Sequence, residues 1–336
     1  MDIARPRQKT ISTTVCLIGI LLATHFAAAS ETAKVPASDA GYTLVHVLER
    51  AAGYVNAMAV TPDGGLLAVA SDDGRVTLWN TASGRLVREL PGHKGPVYSV
   101  AITQDGLTIA TAGYDETIHI WQLSSGSELR TLTGHKGWIN SVAFTSDGHK
   151  LFSAGRDRSL RTWDVDTGKL LRIVEHPSEV FTVAAAPRMP WFASDKMNSI
   201  SLREIETGNE ITSGIPGQWG INTIVFNPTR PQLLTGGYDG VLWVWNISQA
   251  KIEHHIKVEG RPIISLAITD KGSLVAALCT GNGTVVLFDT TTWKEIGNLK
   301  GVTYPIGSVV LSADGQILAA GGGDSPIRIW KRSGPR

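Results

Sequence analysis

GHKGWINSVAFTSDGHKLFSAGRDRSLRTWD, residues 134–164, is the stretch that decides the fold. Its short apolar runs are separated by turn residues, of which Asp147-Gly148 is the clearest because glycine accepts a positive φ without steric cost. The stretch also contains His135, Ser153 and Asp157, the three residue types of a hydrolase triad. The rest of the chain decides whether these three residues are catalytic or structural.

The same arrangement recurs along most of the chain at intervals of 40 to 43 residues. Seven units can be aligned on the residue that ends an apolar run, and in five of them this residue is tryptophan. The seven residues are Trp79, Trp121, Trp163, Arg203, Trp245, Phe288 and Trp330. The residues six positions earlier are Asp73, Asp115, Asp157, Met197, Asp239, Asn282 and Asp324, so five of the seven units have aspartate there. A register kept over this length indicates a repeat protein.

Each unit predicts four short β-strands. In the third unit these are residues 138–145, 150–155, 160–165 and 170–174, each separated from the next by a tight turn. The strands are apolar on both faces rather than strictly alternating. This pattern favours sheets that are packed between neighbouring sheets.

The repeat resembles the WD40 family over residues 42–332. The residues that carry the resemblance are Gly92-His93, Gly134-His135, the aspartate six residues before tryptophan, and Trp163-Asp164. The resemblance implies an all-β, seven-bladed propeller of four-stranded antiparallel blades. The expected blades are residues 50–90, 91–132, 133–174, 175–214, 215–256, 257–299, and 300–332 together with 42–49. The seventh unit lacks a fourth strand, so we expect the strand-like run Tyr42–Glu49 to pair with the last blade and close the ring.

The His, Ser and Asp residues recur with the repeat, whereas a catalytic triad is needed only once. The WD40 resemblance implies that they form a structural tetrad, in which the aspartate accepts from the histidine and the hydroxyl links the histidine to the indole N–H. No catalytic residue is therefore predicted. The residues assigned to tetrads are His93, Thr111, Asp115 and Trp121; His135, Ser153, Asp157 and Trp163; and Thr235, Asp239 and Trp245, with Gln218 at the histidine position.

The resemblance also implies a wide upper surface, which carries the start of each first strand and the residue before the tight-turn aspartate. In units two to five these positions are rich in Tyr, Trp and Arg, the residue types that dominate protein interfaces. We therefore predict that a protein or peptide partner binds there, and the alternative is that some of these aromatic side chains only pack between blades. The predicted residues are Tyr54, Asn56, Asp72, Tyr98, Tyr114, Trp138, Asn140, Arg156, Phe181, Lys196, Trp219, Asn222 and Tyr238.

The N-terminus has the pattern of an export signal. A basic segment precedes the apolar run Val15 to Ala23, and Ala27-Ala28-Ala29 offers a cleavage site. We expect residues 1–29 to be a signal peptide, residues 30–41 a disordered linker, and the mature chain to be periplasmic or extracellular without stable membrane insertion. An uncleaved signal anchor is the alternative.

Composition restricts the function further. Lysine and arginine (31) nearly balance aspartate and glutamate (30), which argues against nucleic acid as the partner. We expect no cofactor and no metal, and we favour a monomer. The predicted function is a non-catalytic scaffold or recognition module for a protein or peptide. The alternatives are a propeller enzyme or small-molecule binder that uses the central channel, and an accessory subunit of a cell-envelope complex.

Overall fold

The computed structural model describes residues 41–49, 53–196, 199–216, 220–258, 262–280, 283–302, 307–323 and 326–333, without the side chains of residues 213–216. All of these residues belong to one structural unit, Ala37–Arg336. The predicted signal peptide and nearly all of the predicted linker lie outside the described residues. Within the described ranges, no helix has the length and apolar character needed to cross a membrane.

The described part of the chain contains 28 β-strands in seven four-stranded antiparallel sheets. The blades are numbered in chain order from the sheet that follows strand β1. Blades 1 to 3 have these strands: β2 (Val55–Val60), β3 (Leu66–Ser71), β4 (Val76–Asn80) and β5 (Arg85–Leu90); β6 (Val97–Ile102), β7 (Thr108–Gly113), β8 (Ile118–Gln122) and β9 (Glu128–Leu132); β10 (Ile139–Phe144), β11 (Lys150–Gly155), β12 (Ser159–Asp164) and β13 (Leu170–Glu175).

Blades 4 to 7 continue the same arrangement. Their strands are β14 (Val183–Ala185), β15 (Trp191–Lys196), β16 (Ser199–Glu204) and β17 (Glu210–Pro216); β18 (Ile221–Phe226), β19 (Gln232–Gly237), β20 (Val241–Asn246) and β21 (Lys251–Lys257); β22 (Ile263–Ile268), β23 (Leu274–Cys279), β24 (Thr284–Asp289) and β25 (Lys294–Lys300); β26 (Gly307–Leu311), β27 (Ile317–Gly322) and β28 (Ile327–Arg332), with β1 (Tyr42–Leu48). The predicted seven-bladed, all-β propeller is confirmed.

Strand β1 closes the ring, as predicted from the missing fourth strand of the last unit. It pairs antiparallel with β28, from Tyr42 opposite Arg332 to Leu48 opposite Ile327. Tyr42 is buried, its hydroxyl donates to the Gly315 carbonyl, and burial raises the pKa of its phenol to about 12. The last blade is thus assembled from both ends of the propeller, so β28 has an outer neighbour and the blade has four strands like the others.

The hydrophobic core lies between the blades. In blade 3, residues 151–155 of β11 and 159–163 of β12 are all buried, whereas five of the six residues of β5 in blade 1 are exposed. Phe152 of blade 3 stacks on Phe192 of blade 4 with ring centroids 4.3 Å apart. The middle strands of a blade are therefore apolar on both faces because each packs against a neighbouring blade.

The turns between first and second strands form what we call the lower surface. In blade 2, the Thr103 hydroxyl donates to Asp105 Oδ1 at 2.5 Å, and the same carboxylate accepts from the Leu107 amide at 2.9 Å. Gly106 follows with φ 72°, a conformation that glycine adopts without strain. The opposite surface, with the starts of the first strands and the turns between second and third strands, is called the upper surface.

Candidate protein-interaction surface

The His135 tetrad of blade 3 is a buried hydrogen-bonded chain. The Trp163 Nε1–H donates to Ser153 Oγ at 2.8 Å, and Ser153 Oγ lies 2.7 Å from His135 Nε2. Because an ionised carboxylate only accepts, His135 Nδ1–H donates to Asp157 Oδ2, 2.9 Å away. Ser153 is fully buried, and its proton is directed to the histidine. No substrate can reach this hydroxyl, so the arrangement serves architecture.

Blade 2 contains the same chain of contacts. The Trp121 Nε1–H donates to Thr111 Oγ1 at 3.1 Å, Thr111 Oγ1 lies 2.9 Å from His93 Nε2, and His93 Nδ1 lies 3.0 Å from Asp115 Oδ2. Burial alone would raise the pKa of the Asp115 carboxyl. The hydrogen bonds from His93 and from the Lys94 amide nevertheless hold this pKa well below its ordinary value. The carboxylate is therefore ionised over the physiological pH range.

A further side chain joins each of these two networks, four residues after the aspartate, and sequence reasoning missed it. In blade 3 the buried Arg161 donates from Nε to Ser159 Oγ at 3.0 Å and from a terminal nitrogen to Asp157 Oδ2 at 3.2 Å. In blade 2 the position is His119, whose Nδ1 lies 2.8 Å from Glu128 Oε1. Burial lowers the pKa of His119. The signal was available in the sequence as a charged or titratable residue at a fixed offset.

The prediction of a tetrad in blade 5 is wrong for its indole. Trp245 Nε1 makes no hydrogen bond with any residue that the structure describes, so it does not donate to Thr235. Trp243 stands four residues after Asp239, and its Nε1–H donates to Asp239 Oδ2 at 2.8 Å. The carboxylate is thus paired from the position that Arg161 occupies in blade 3. Gln218, at the histidine position, lies outside the described residues.

Blade 4 departs furthest from the tetrad. The side chains of His176 and Ser194 are both buried. Neither ring nitrogen of His176 makes a hydrogen bond with a described residue, and neither does Ser194 Oγ. Arg203, in the tryptophan position, donates to the Gly208 carbonyl at 3.0 Å and to Glu210 Oε2 at 3.2 Å. Burial, and then the charges of Arg203 and Lys196, lower the pKa of His176 to about 4.

Within the described residues the upper surface carries a contiguous aromatic group, which we call the Trp138 cluster: Tyr98, Tyr114, Trp138 and Arg156. The ring centroids of Tyr114 and Trp138 are 5.0 Å apart, and those of Tyr98 and Trp138 are 5.8 Å apart. The Arg156 guanidinium lies over the indole at 4.1 Å, and its Nε is 3.9 Å from Glu179 Oε2. Tyr114 remains 44% exposed. Blades 2 and 3 therefore present a joined aromatic and cationic surface.

Glycines set the positions of the exposed tyrosines. A Cβ on Gly95 would lie 2.9 Å from the Tyr114 ring, and a Cβ on Gly220 would lie 2.2 Å from the Tyr238 ring. A side chain at either position would force the ring to shift, so each ring packs against backbone that has no side chain. Gly95 and Gly220, which precede the first strands of blades 2 and 5, thus leave room for these tyrosine rings.

The remaining predicted surface residues are placed separately. Tyr54, Phe181 and Tyr238 are exposed, and no ring contact joins them to the Trp138 cluster within the described part of the chain. Asp72 Oδ1 accepts from the Tyr54 amide at 2.7 Å, and Lys196 Nζ is 3.2 Å from Glu210 Oε1. Trp219 lies outside the described residues.

Three predicted surface residues have a structural role that the sequence did not reveal. The side-chain amides of Asn56, Asn140 and Asn222 each donate to a carbonyl at or before the first strand of the next blade: Val97 at 3.0 Å, Val180 at 2.9 Å and Ile263 at 2.9 Å. These amide groups tie one blade to the next around the ring. They are therefore not counted among the residues that recognise a partner.

The central channel contains a cavity of about 740 Å³. It is lined by the seven innermost strands and by the turns that follow them, so it opens at the lower surface, away from the Trp138 cluster. Asp270 is the titratable residue among the described lining residues, and it pairs with Arg188 at 3.1 Å. The rest of the described lining is mostly aliphatic, as in Met58, Val142 and Ile224.

Known proteins match parts of this chain. WD repeat-containing protein SL1-17 of Schistosoma mansoni is 37% identical over 41% of this chain and 46% of its own length. A guanine nucleotide-binding protein subunit beta of Arabidopsis thaliana is 28% identical over 48% of this chain and 46% of its own. The nuclear distribution protein PAC1 of Candida albicans is 31% identical over 33% of this chain and 23% of its own. The chain thus spans less than half the length of each of these relatives.

Two family models also match. The model described as IFT122 first beta-propeller matches residues 54–262, which is well over half of the chain, and the model described as WD domain, G-beta repeat matches residues 293–331. Both matches fall on the strands and turns of the seven-bladed ring. The chain therefore belongs to the IFT122 first beta-propeller family of WD-repeat proteins.

Proposed function

We propose that this chain is an exported, non-catalytic interaction module that recognises a protein or peptide through the Trp138 cluster. The observation that carries the proposal is the contiguity of Tyr98, Tyr114, Trp138 and Arg156 on the upper surface, where Tyr114 is exposed and the other three are half-buried. Large aromatic side chains and arginine contribute most of the binding energy in protein interfaces, because they offer a wide rigid contact with a polar group at the end.

The side chains of the cluster also contact one another and the backbone without a partner present. Gly95 supports the Tyr114 ring, and the guanidinium of Arg156 lies against the indole of Trp138. A cation over an indole is stabilised by roughly 0.5–2 kcal/mol. Side chains that are already ordered lose less conformational entropy on binding, and this favours affinity.

The relatives support the same class of function. One of them is named as a subunit, the guanine nucleotide-binding protein subunit beta, and such a name describes a component of an assembly. An accessory subunit of a cell-envelope complex is a special case of this proposal, which differs only in the identity of the partner.

The central channel supports a different candidate. Its volume of about 740 Å³ falls in the range of small-molecule sites, roughly 300–1,000 Å³. However, sites of this kind recognise ligands through a few convergent polar groups, and the one titratable residue among the described lining residues, Asp270, is paired with Arg188. The lining is thus poor in groups for acid–base or metal chemistry, so we favour the upper surface over a channel enzyme or small-molecule binder.

Export is supported by the N-terminal sequence. Arg5, Arg7 and Lys9 precede an apolar run that is shorter than a membrane span, and small residues follow at 27–29. The test is the intact mass of the chain recovered from the envelope or medium of the expressing cells. A mass that corresponds to a chain starting near Ser30 supports cleavage and export, whereas a full-length chain confined to the cytoplasm contradicts both.

Partner binding can be tested by crosslinking in intact cells. The wild-type chain is compared with the triple variant Y114A/W138A/R156A, and bound proteins are quantified by mass spectrometry. We expect the proteins specific to the wild type to be lost from the triple variant. The matched control is V87A/L129A, which removes exposed apolar side chains from the fourth strands of blades 1 and 2. If the triple variant keeps every partner, the Trp138 cluster is not the binding surface.

A further inference from the structure

We propose that blade 2 contains a binding site for a divalent transition metal of the zinc type, with His93, Asp115 and His119 as ligands. One donor atom from each residue lies within 4.8 Å of the other two. The two imidazole rings are in edge contact, with centroids 4.4 Å apart. Imidazole nitrogen and carboxylate oxygen are the donors that zinc shares with its close neighbours in the first transition row.

The hydrogen bonds of His119 indicate that one of its ring nitrogens, Nε2, carries no proton. Glu128 is an acceptor, so His119 Nδ1–H donates to it and Nε2 keeps a lone pair. Thr117 Oγ1 lies 3.1 Å from this Nε2 and 2.9 Å from Asp115 Oδ1. The single hydroxyl proton of Thr117 cannot serve both acceptors. Asp115 is already served by this hydroxyl and by the amides of Lys94 and Thr117, at 2.9 and 3.3 Å. The lone pair of His119 Nε2 is then left without a donor and is open to a metal ion.

Glu128 adds a second feature of metal sites. Histidines that bind metals usually donate their other ring N–H to a carboxylate, which fixes the ring and makes the ligating nitrogen more basic. The contact of 2.8 Å between His119 Nδ1 and Glu128 Oε1 has this form. Glu128 is also held by the hydroxyl of Thr131, so the carboxylate is itself oriented.

Blade 3 shows independently that a cation is favourable at this place. Arg161 occupies the position of His119, and its guanidinium lies 3.2 Å from Asp157 Oδ2, the counterpart of Asp115. Ser159 stands in for Thr117 and donates to Asp157 Oδ1 at 2.8 Å, while it accepts from Arg161 Nε. The network of blade 3 is complete because it includes a permanent positive charge. Blade 2 has the same frame with an imidazole in place of that charge.

The separation between His93 and Asp115 suits a small metal ion. Two ligands at about 2.0–2.1 Å from a tetrahedral zinc are roughly 3.3 Å apart, and His93 Nδ1 lies 3.0 Å from Asp115 Oδ2. On binding, the Nδ1 proton of His93 moves to Nε2, which then donates to Thr111 Oγ1. The ligand atoms lie within 4.8 Å of one another, so a small shift of the His119 ring that keeps its Nδ1–H on Glu128 brings Nε2 to the metal. Water or the Thr117 hydroxyl supplies the fourth ligand.

The test uses the full chain with Zn²⁺ alone as the probe. We expect Zn²⁺, but not Mg²⁺, to raise the melting temperature by several degrees, and Co²⁺ to give the visible absorption of a tetrahedral site. His119→Arg introduces the residue that blade 3 uses, so the fold should persist while the response to Zn²⁺ is lost. His119→Gln is a second variant in case the arginine does not fit. Glu128→Gln should weaken metal affinity by about 10- to 100-fold.

The matched control is His149→Ala, which removes an exposed histidine that pairs with Asp166. Its response to Zn²⁺ should equal that of the wild type. A wild-type chain without any Zn²⁺ response overturns the proposal. So does an unchanged response in the folded His119 variants, because it would assign the binding to other histidines or to Cys279.

Discussion

Blades 3 and 4 are neighbours in the ring, yet they are stabilised in different ways. Blade 3 has a complete polar network in which His135, Ser153 and Trp163 are joined to Asp157. Blade 4 keeps the histidine and the serine, but the side chains of these two residues make no hydrogen bond within the described residues. The two blades nevertheless have the same four-stranded topology. The network is therefore not required for a blade to form.

The difference shows what the apolar core does alone. The two blades share a buried cluster that includes Phe152, Val183 and Phe192, so blade 4 is held by the same packing that blade 3 uses. In addition, Glu210 accepts from Lys196 and Arg203 near the place where blade 3 has its tetrad. Packing specifies the blade, and the tetrad adds stability and rigidity to blades that keep it.

The largest effect is expected from Asp157→Ala in blade 3. The change removes the acceptor of His135 and leaves the buried Arg161 guanidinium without its counter-charge. Loss of one partner from a buried ion pair costs about 3–5 kcal/mol. The melting temperature should therefore fall by roughly 10 °C, since 1 kcal/mol corresponds to about 2–4 °C in a domain of this size.

The control for this prediction is Asp166→Ala, which removes an exposed carboxylate that pairs with His149. Exposed ion pairs contribute little, so its melting temperature should be close to that of the wild type. If the Asp157→Ala and Asp166→Ala variants have the same melting temperature, the network of blade 3 adds no stability beyond packing, and the contrast between the blades disappears.

The second effect concerns pH and belongs to blade 4. Burial lowers the pKa of His176 to about 4, so the unfolded chain binds a proton that the folded chain does not, and stability falls as the pH drops from 6.5 toward 4. Burial raises the pKa of Asp195 to about 6. The folded chain then binds the proton first, and stability rises as the pH drops from 6 toward 4. The two contributions oppose each other, each by up to about 3 kcal/mol.

Single variants should separate the contribution of His176 to the pH dependence of stability from that of Asp195. Relative to the wild type, His176→Gln should become more stable as the pH falls from 6.5 to 4, and Asp195→Asn should become less stable. The asparagine side chain of the second variant can still accept from the Phe181 and Thr182 amides, which donate to Asp195 at 2.8 Å. Urea unfolding at several pH values measures both differences. Parallel pH profiles for all three chains would show that neither group titrates differently on folding.

The sequence was sufficient to predict the fold because the repeat is recorded in several independent features. Tryptophans at a near-constant interval, Asp-Gly turns and the strand-like run before the first unit all agreed with one ring. Ring closure by β1 followed from counting strands. Each blade is specified by local turns and by apolar faces, both of which can be read from one sequence.

The surface was harder to predict because a position does not reveal how its side chain is used. Asn140 and Trp138 are two residues apart on the same edge, yet Asn140 bonds to the next blade and Trp138 joins an aromatic group. Trp245 is at the tetrad position but lacks the bond to Thr235, and it is Trp243 that pairs with the aspartate. The roles of Asn140 and Trp138 depend on contacts with neighbouring blades, about 40 residues away in the chain.

The smallest and most direct comparison uses two equivalent serines. Ser153 and Ser194 are both fully buried, at the same place in blades 3 and 4. Ser153→Ala leaves the Trp163 N–H and His135 Nε2 without their partner, which should cost about 1–3 kcal/mol. Ser194→Ala removes a hydroxyl that has no described partner, so it should be neutral or slightly stabilising. Because both variants delete one oxygen atom from the core, the difference between their unfolding free energies isolates the hydrogen bonds from the packing. Equal costs for the two serines would mean that the tetrad hydroxyl contributes through its volume alone.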